Sequence, residues 1–256
     1  MLSFTDRVVL ITGAAGGLGE AYARGFAARG ASLLLNDLAD SNVEALATEL
    51  GGIADTSTVA TREGGAAIIE HAADAFGRLD VVVNNAGGSP YVPATEASAK
   101  FSTKIIELNL LGPLSVSTHA NAVMQTQAQG GSIVNIASVS GRRPTPGTVA
   151  YGAAKAGLEN ITSTLAVEWA PKVRVNSVVV GMVETEQSEL FYGDADSIAA
   201  IAKNVPLGRL AKPADVGWAA AFLASDAASY ISGASLEVHG GGEPPHYLST
   251  TTADIK

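Results

Sequence analysis

Cysteine is absent from this chain of 256 residues. Disulfide bonds, thiolate nucleophiles and zinc sites built on cysteine are therefore excluded. Aromatic residues make up only 5% of the sequence, whereas hydrophobic residues as a whole reach 47%. Packing must therefore rest on Ala, Val, Leu and Ile, and the apolar fraction is too high for a wholly disordered chain.

Positively charged residues are also scarce. The chain carries 16 Lys and Arg against 25 Asp and Glu, which gives a formal net charge of −9. No basic surplus exists to neutralise the phosphates of a nucleic acid or to bind an anionic membrane surface, so we expect neither as a partner. Asp6 and Arg7 directly precede the first apolar run, which is untypical of a signal peptide. Together with the absence of cysteine, this predicts a protein of the cytoplasm.

No charged residue stands between positions 108 and 141. Gly, Pro, His, Asn and Gln residues interrupt this stretch, and a bilayer core would penalise so many polar groups. The pattern therefore favours an uncharged helix from about Leu110 to Gln129, followed by a strand, over a membrane span. This helix and the one predicted to begin near Tyr151 offer faces for symmetric packing, so we expect a homo-oligomer.

Short apolar runs alternate with stretches of helical period along the whole chain. Most runs are continuously apolar, as expected of parallel strands covered on both faces. Between the first two, Leu18, Tyr22 and Phe26 recur every fourth residue and predict one face of a helix. We therefore predict a single α/β domain over residues 1–256, a doubly wound, Rossmann-type parallel sheet of about seven strands with helices on both faces. The predicted strands are Val8–Ile11, Leu33–Leu35, the weaker Gly51–Ala54, Val81–Val83, Ile133–Ile136, Val173–Val180 and Leu236–Val238.

Two segments depart from this rhythm. Residues 184–205 are acidic, polar and helical in pattern, and we interpret them as a substrate lid. Residues 243–256 contain two prolines and a Ser/Thr run, which predicts a loose or partner-docked C-terminal tail.

The first predicted strand runs into a glycine-rich turn and then a helix. Glycines at such a turn let the backbone approach a pyrophosphate at the helix N-terminus. The spacing is neither G-x-G-x-x-G nor a P-loop, so glycines kept for close packing remain an alternative. Asp37 follows the second strand about 20 residues later, where an acid can bind the adenosine ribose and repel a 2′-phosphate. This favours NAD over NADP, although Asp37 could instead cap the following turn.

Tyr151 and Lys155 stand four residues apart at the start of a helical stretch, so their side chains share one face. A phenol titrates near pH ~10, but a nearby ammonium and an oxidised nicotinamide lower that pKa toward the range of a general base. Taken alone, the spacing is equally typical of a surface pair.

Ser138 follows the fifth strand, at the end where α/β sheets place their ligands. Its hydroxyl could hold a substrate oxygen against the phenol of Tyr151, or it could be an ordinary turn serine. No G-x-S-x-G elbow surrounds it, which disfavours a hydrolase nucleophile.

In combination, these motifs resemble the short-chain dehydrogenase/reductase family. They occur in the family's order between residue 7 and about residue 240. The matching positions are Thr12, Gly13, Gly17, Gly19, Asn84, Asn85, Ala86, Gly87, Asn109, Ser138, Tyr151 and Lys155.

The resemblance implies a role for each position. Tyr151 would be the acid/base, Lys155 its electrostatic partner and a binder of the nicotinamide ribose, and Ser138 the residue that orients the substrate oxygen. Asn109 would hold a water that links Lys155 to solvent, although it could also be an ordinary helix-interior asparagine. The implied cofactor contacts are Gly13, Gly17, Leu18, Gly19, Asp37, Asp55, Thr56, Asn85, Ala86, Gly87, Tyr151, Lys155, Val183 and Thr185.

Within that set, Asp55 and Thr56 would meet the adenine, and residues 85–87 would floor the site beside the adenosine ribose. Without the resemblance, an Asn-Asn-Ala-Gly run after a strand is equally a turn signal. The family usually carries Pro-Gly after the sixth strand, where this chain has Val180-Gly181. Valine does not fix φ as proline does, so we expect the loop that grips the nicotinamide carboxamide to sit differently.

The sequence thus predicts an NAD-dependent oxidoreductase that interconverts a secondary alcohol and its ketone. An NAD-using epimerase or dehydratase of the same family and a non-catalytic dinucleotide-binding regulator remain alternatives. We expect a small-molecule substrate, although Arg142 and Arg143 beside Ser138 could serve a larger anionic one. Family members form dimers or tetramers, so a dimer or homotetramer is implied. The four histidines, His71, His119, His239 and His246, show no ligand spacing, and we predict no metal site.

Overall fold

Seven parallel strands form one sheet in the protein, whose structure is a computed structural model that describes residues 2–245 and 247–250. The strand order is β3-β2-β1-β4-β5-β6-β7 and every neighbouring pair is parallel, which confirms the predicted doubly wound sheet. The strands are β1 (Val8–Thr12), β2 (Ser32–Asn36), β3 (Ile53–Asp55), β4 (Val81–Asn84), β5 (Gly131–Ser138), β6 (Val173–Val180) and β7 (Ser235–Val238).

Helices connect the strands and cover both faces of the sheet. Polar side chains begin several of them: Thr61, Ser98 and Asp194 each accept a hydrogen bond from a backbone N–H in the first turn of the helix that follows. The helices are α1 (Gly17–Ala27), α2 (Val43–Leu50), α3 (Arg62–Phe76), α4 (Ala99–Ile106), α5 (Gly112–Met124), α6 (Val149–Glu168), α7 (Ser188–Tyr192), α8 (Ala195–Asn204), α9 (Pro213–Ala224) and α10 (Tyr247–Thr250).

Two apolar layers hold these helices to the sheet. On one face Tyr22 and Phe26 of α1 pack with Val216 of α9 against the strands, as the four-residue spacing on α1 predicts. On the other face Ile68 of α3 and Val116 of α5 pack against the opposite sides of the same strands. Strands buried on both faces explain why their sequences are continuously apolar.

The weakest predicted strand is displaced along the chain. β3 begins at Ile53 rather than at Gly51. The N–H groups of Gly51 and Gly52 donate to carbonyls at the end of α2, the Gly52 bond to Ala47 measuring 2.8 Å. These two glycines therefore end a helix and leave only three residues for the strand.

The uncharged stretch is shorter as a helix than its composition predicts. A π-helical turn, Glu107–Leu111, precedes α5, and α5 ends at Met124 rather than at Gln129. Gln127 donates to the carbonyl of Leu79 at 2.9 Å, so its amide holds a neighbouring segment instead of extending the helix. None of the helices in the described part of the chain is both long and apolar enough to cross a membrane.

The two predicted peripheral segments differ in how much of them the structure describes. Residues 184–205 contain the short helices α7 and α8, in agreement with their helical pattern. The predicted tail is described to residue 245 and again from 247 to 250, and its remaining residues lie outside the described part. At its start, Glu243 pairs with Arg143 at 2.7 Å.

The carboxyl ends of the strands meet at one edge of the sheet, hereafter the carboxyl edge. The chain runs from β1 outward to β2 and β3, and the crossover from β3 then returns to β4 on the other side of β1. Such a reversal opens a crevice outside the carboxyl ends, which is where open α/β sheets bind ligands. The glycine turn after β1, the residues after β2 and β4, and Ser138 at the end of β5 all lie along this edge.

Candidate active site

The glycine turn depends on residues without a side chain. Gly13 and Gly17 have φ values of +63° and +52°, which are unfavourable for other residue types. A Cβ on Gly13 would lie 2.8 Å from the Cα of Ala86, and one on Gly19 would overlap the carbonyl oxygen of Gly13. Close packing, the alternative interpretation of these glycines, is therefore real at Gly13 and Gly19.

Gly16 and Gly17 behave differently from the packed glycines. A Cβ on Gly16 would meet no atom within 4 Å, and one on Gly17 would meet only Thr185 Cγ2, at 3.8 Å. Gly16 precedes α1 and offers no side chain to cap it, so the N–H groups of Gly17 and Leu18 stay available, whereas that of Gly19 donates to the Gly16 carbonyl at 3.0 Å. An open cradle at a helix N-terminus fits the pyrophosphate of a dinucleotide.

Asp37 lies beside this cradle. Its Oδ2 accepts a hydrogen bond from the N–H of Ala15 at 2.8 Å, and its Oδ1 accepts one from Leu38 at 2.7 Å. The carboxylate thus caps its own turn, as the alternative interpretation supposed, and it also faces the glycine turn.

Asp55 ends β3 and Thr56 follows it, and both were expected to meet the adenine. Thr56 is exposed, but the Asp55 side chain is only 6% exposed and is turned toward His71 and Asn36. The adenine contact of Asp55 stays a prediction. An adenine could reach only the small part of this carboxylate that is exposed to solvent.

Residues 84–87 are fixed to the end of β1. The Thr12 hydroxyl accepts hydrogen bonds from the N–H groups of Asn85, at 3.0 Å, and Ala86, at 3.1 Å. The Asn85 amide in turn donates to the carbonyl of Gly13 at 2.8 Å. The Asn-Asn-Ala-Gly run is therefore more than a turn, because it joins β4 to the glycine turn.

Lys155 and Asn109 come together around Gly87. A Cβ on Gly87 would lie 2.5 Å from Asn109 Oδ1 and 3.4 Å from Lys155 Nζ. Asn109 is fully buried in the π-helical turn, where its amide bonds both backbone groups of Gly88 at 2.9 Å. Lys155 Nζ donates to the carbonyl of Ile136 at 2.7 Å. Burial lowers the pKa of this lysine to about 8.

Tyr151 lies one helical turn before Lys155, whose Nζ is 5.6 Å from the centre of the phenol ring. Burial raises the pKa of Tyr151, a hydrogen bond from the Ser138 side chain lowers it, and the nearby phenol of Tyr192 raises it. The net direction is upward, opposite to the lowered pKa that we predicted from Lys155. The reason is that Lys155 turns its ammonium to the carbonyl of Ile136, so desolvation of the phenol dominates.

The loop after β6 is anchored although it lacks the expected proline. Val183 forms a β-bridge with Ala211, and the N–H of Glu184 donates to the Ala211 carbonyl at 2.8 Å. Thr185 reaches back toward Gly17, which brings the start of the lid over the glycine turn. The loop therefore borders the cradle, where Val183 and Thr185 were expected to contact a cofactor.

Two neighbours of the site were not assigned a role from sequence. The phenol of Tyr192, on α7, lies close enough to raise the pKa of Tyr151. His71 bonds Asp55 through Nδ1 at 2.8 Å. Neither contact has a sequence signal, because each joins residues that only the tertiary fold brings together.

The remaining histidines and the two arginines are engaged elsewhere. His119 contacts the carbonyl of Ser115, and His239 pairs with Glu237, whereas His246 lies outside the described residues. Arg142 bridges Glu159 and Glu237, and Arg143 pairs with Glu243. Three histidines thus have partners, and both arginines next to Ser138 are neutralised by carboxylates.

Proteins similar to this chain include dehydrogenases. The family model described as "Enoyl-(Acyl carrier protein) reductase" matches residues 13–243. Cis-4-hydroxycyclohexanecarboxylate dehydrogenase of Sinomonas cyclohexanicum is 40% identical, over 93% of this chain and 97% of the relative. D-threitol dehydrogenase of Mycolicibacterium smegmatis is 39% identical, over 92% of each chain.

Solved structures give the same result. The crystal structure of a short-chain dehydrogenase/reductase, glucose/ribitol dehydrogenase, from Brucella melitensis superposes with a TM-score of 0.87 at 33% identity. The superposition covers 94% of this chain and 98% of that one. The chain is therefore an oxidoreductase of the short-chain dehydrogenase/reductase family, whose dehydrogenases use a nicotinamide dinucleotide.

Proposed function

We propose that the protein is an NAD-dependent dehydrogenase that interconverts a small secondary alcohol and its ketone. The observation that carries the proposal is the meeting of three groups at the carboxyl edge. The Ser138 side chain lies close enough to the phenol of Tyr151 to lower its pKa, and Lys155 Nζ is 5.6 Å from the centre of the phenol ring. Ser138 ends β5 and the other two residues lie on α6, and the open cradle at Gly16 and Gly17 follows β1 at the same carboxyl edge of the sheet.

The proposed chemistry divides between cofactor and protein. When bound, the nicotinamide ring takes or gives the hydride, and its oxidised form adds a positive charge beside the phenol. Tyr151 takes the proton of the substrate hydroxyl during oxidation and returns it during reduction. Ser138 donates a hydrogen bond to the same substrate oxygen and so fixes its position relative to the phenol.

We assign Lys155 and Asn109 supporting roles in this proton exchange at Tyr151. A lysine with a pKa of about 8 is largely charged near neutrality, and we assign its ammonium the role of stabilising a phenolate on Tyr151 against the burial that raises the pKa of this phenol. Asn109 lies beside Lys155 and is held rigidly by Gly88 and Ile105. We assign it the role of holding a water through which Lys155 exchanges its proton with solvent.

The choice of NAD rests on Asp37. Its carboxylate borders the glycine turn, where it would accept hydrogen bonds from the ribose hydroxyls and repel a 2′-phosphate. Ala15, which it contacts, adds no positive charge to offset that repulsion.

The substrate class follows from the lid and the relatives. The two dehydrogenase relatives are named for a hydroxylated ring acid and a polyol, both small alcohols. The lid carries Glu184, Glu186 and Glu189, and Arg142 and Arg143 are already paired with carboxylates. This surface disfavours a polyanionic carrier thioester and favours a small substrate.

Replacement of Tyr151 by Phe tests the proposal. Turnover should fall by about 10³-fold or more, because the proton acceptor is lost while the ring keeps its packing. Binding of NADH, followed by its fluorescence, should stay within about twofold of wild type. Tyr230→Phe is the matched control, since Tyr230 is fully exposed, and it should leave turnover unchanged. Turnover retained in Tyr151→Phe would refute the proposed mechanism.

A further inference from the structure

His71 on α3 contacts the carboxylate of Asp55, which is almost completely buried. Its Nδ1 lies 2.8 Å from Oδ2 of Asp55, and the Asp55 side chain is 6% exposed against 39% for His71. An ionised carboxylate at such a depth needs a partner on each oxygen. His71 is the charged or chargeable partner that Asp55 has among the described residues.

The other oxygen of Asp55 organises the ends of β2 and β3. Oδ1 accepts hydrogen bonds from Asn36 Nδ2 at 2.8 Å and from the N–H of Ser57 at 2.9 Å. Asn36 Nδ2 also donates to the carbonyl of Ser57 at 2.8 Å. Asp55 is thus the common acceptor of a network that contains one residue from each strand end and one from the loop beyond.

This network continues to the glycine turn. The carbonyl of Asn36 accepts the N–H of Ala14 at 3.0 Å, and the N–H of Asp37 donates to the carbonyl of Asp55 at 3.1 Å. Asp37 then accepts the N–H of Ala15 at 2.8 Å. A path of hydrogen bonds therefore runs from His71 to the cradle, and it passes through the residue that we propose selects NAD.

We propose that His71 is a positioning residue for the dinucleotide, which acts through Asp55 to hold Asn36 and Asp37 at the adenosine side of the crevice. The inference rests on the proposed function, because it assumes that a dinucleotide occupies the cradle. Without a donor at His71, Oδ2 of Asp55 keeps only the long hydrogen bond from Ser57 Oγ, at 3.5 Å, and it can gain a better partner only by turning or by taking up a proton. Either response loosens Asn36 and the turn that presents Asp37.

The position of the donor nitrogen on the His71 ring shows which substitutions keep the hydrogen bond to Asp55 and which remove it. The donor that meets Asp55 is Nδ1, and the amide nitrogen of asparagine occupies a similar position relative to the backbone. His71→Asn therefore keeps a donor for Asp55, whereas His71→Phe keeps the ring volume and removes the donor. His119→Phe is the matched control, because His119 makes its Nδ1 contact to a carbonyl within its own helix, α5.

The test is a titration of each variant with NADH, with kcat measured at saturating cofactor. For His71→Phe, the Kd for NADH should rise about tenfold, the effect of one hydrogen bond to a charged group, while kcat stays within about twofold of wild type. His71→Asn and His119→Phe should bind NADH within about twofold of wild type. If His71→Phe does not fold, His71→Ala takes its place in the same comparison.

Three results separate the possibilities. A His71→Phe protein that binds NADH as tightly as wild type overturns the inference alone. An equal loss of binding in His71→Asn and His71→Phe also overturns it, because restoration of the donor would then have no effect. A wild-type protein that binds no NADH overturns the proposed function, and the inference with it.

Discussion

At the scale of single side chains, burial opposes both charges on which the proposed chemistry depends. The phenol of Tyr151 has a raised pKa and the ammonium of Lys155 a pKa lowered to about 8, each because desolvation disfavours the charged form. The two shifts move the titrations of the phenol and the amine apart, because the two groups titrate close together in water and here the amine loses its proton well before the phenol. The phenol of the apoprotein therefore keeps its proton, and a further positive charge, such as that of an oxidised nicotinamide, is needed to favour the phenolate.

The lowered pKa of Lys155 predicts how stability depends on pH. An unfolded chain keeps the lysine proton up to about pH 10.5, whereas the folded apoprotein releases it near pH 8. The unfolded state therefore binds more protons between these values, so stability rises with pH in that window.

Lys155→Met removes this titration and provides the comparison. From about pH 7 to about pH 9, the free energy of unfolding of wild type should rise by about 1 kcal/mol relative to Lys155→Met. Urea denaturation of the apoprotein at both pH values measures the difference. An unchanged difference would show that Lys155 keeps an ordinary pKa in the folded chain.

At the scale of elements, the apolar runs define the strands well. β6 has the predicted bounds, Val173–Val180, and β1 extends only one residue beyond the predicted Ile11. Both are interior strands with a neighbour on each side, where burial on both faces demands a continuous apolar sequence. β3 is less well predicted because it is short and follows two glycines that end a helix.

The parts of the site that the sequence did not predict depend on contacts between distant residues. The π-helical turn that buries Asn109 has no distinct composition, and the Asn109 side chain there accepts a hydrogen bond from the N–H of Gly88, 21 residues earlier. The His71–Asp55 contact joins residues sixteen positions apart on different elements. Motif spacing indicates which residues belong to the site, but only the packing of helices on the sheet determines their partners.

Asp37, directly after β2, is the residue that we expect to determine the choice between NAD and NADP. Asp37→Ser removes the carboxylate that repels a 2′-phosphate and keeps a side chain that can accept from Ala15. The preference for NAD over NADP, measured as the ratio of kcat/KM values, should fall by about 10²-fold, the equivalent of about 3 kcal/mol. Asp40→Ser, three residues farther on an exposed turn, should leave the ratio unchanged. If the ratio also stays unchanged in Asp37→Ser, NAD is selected elsewhere.

At the scale of the whole molecule, large apolar side chains remain exposed on α6 and on the π-helical turn before α5. Val149 and Val167 of α6 are 60% and 80% exposed, and Leu111 is 48% exposed. Exposed apolar residues on helices that also carry the active site suit a symmetric interface between copies of the chain. These are the elements from which we expected a homo-oligomer.

Sedimentation tests this expectation. Wild type should sediment at a multiple of its 25.9 kDa mass, as a dimer or tetramer. Val167→Glu should shift the distribution toward smaller species, because burial of an unpaired carboxylate in an interface costs several kcal/mol, on the order of 3–5. Leu190→Glu, an equally exposed change on the lid helix α7, should not shift it. A monomeric wild type would contradict the expectation.

The central claim is that this chain performs net oxidation and reduction, with a dinucleotide as co-substrate and Tyr151 as the proton acceptor. The most direct measurement is the amount of NADH formed per molecule of secondary alcohol consumed, over a panel of small alcohols with NAD and NADP. We expect one NADH for each ketone formed, with NAD preferred. Conversion of an alcohol to an epimer or a dehydrated product without net NADH would contradict it.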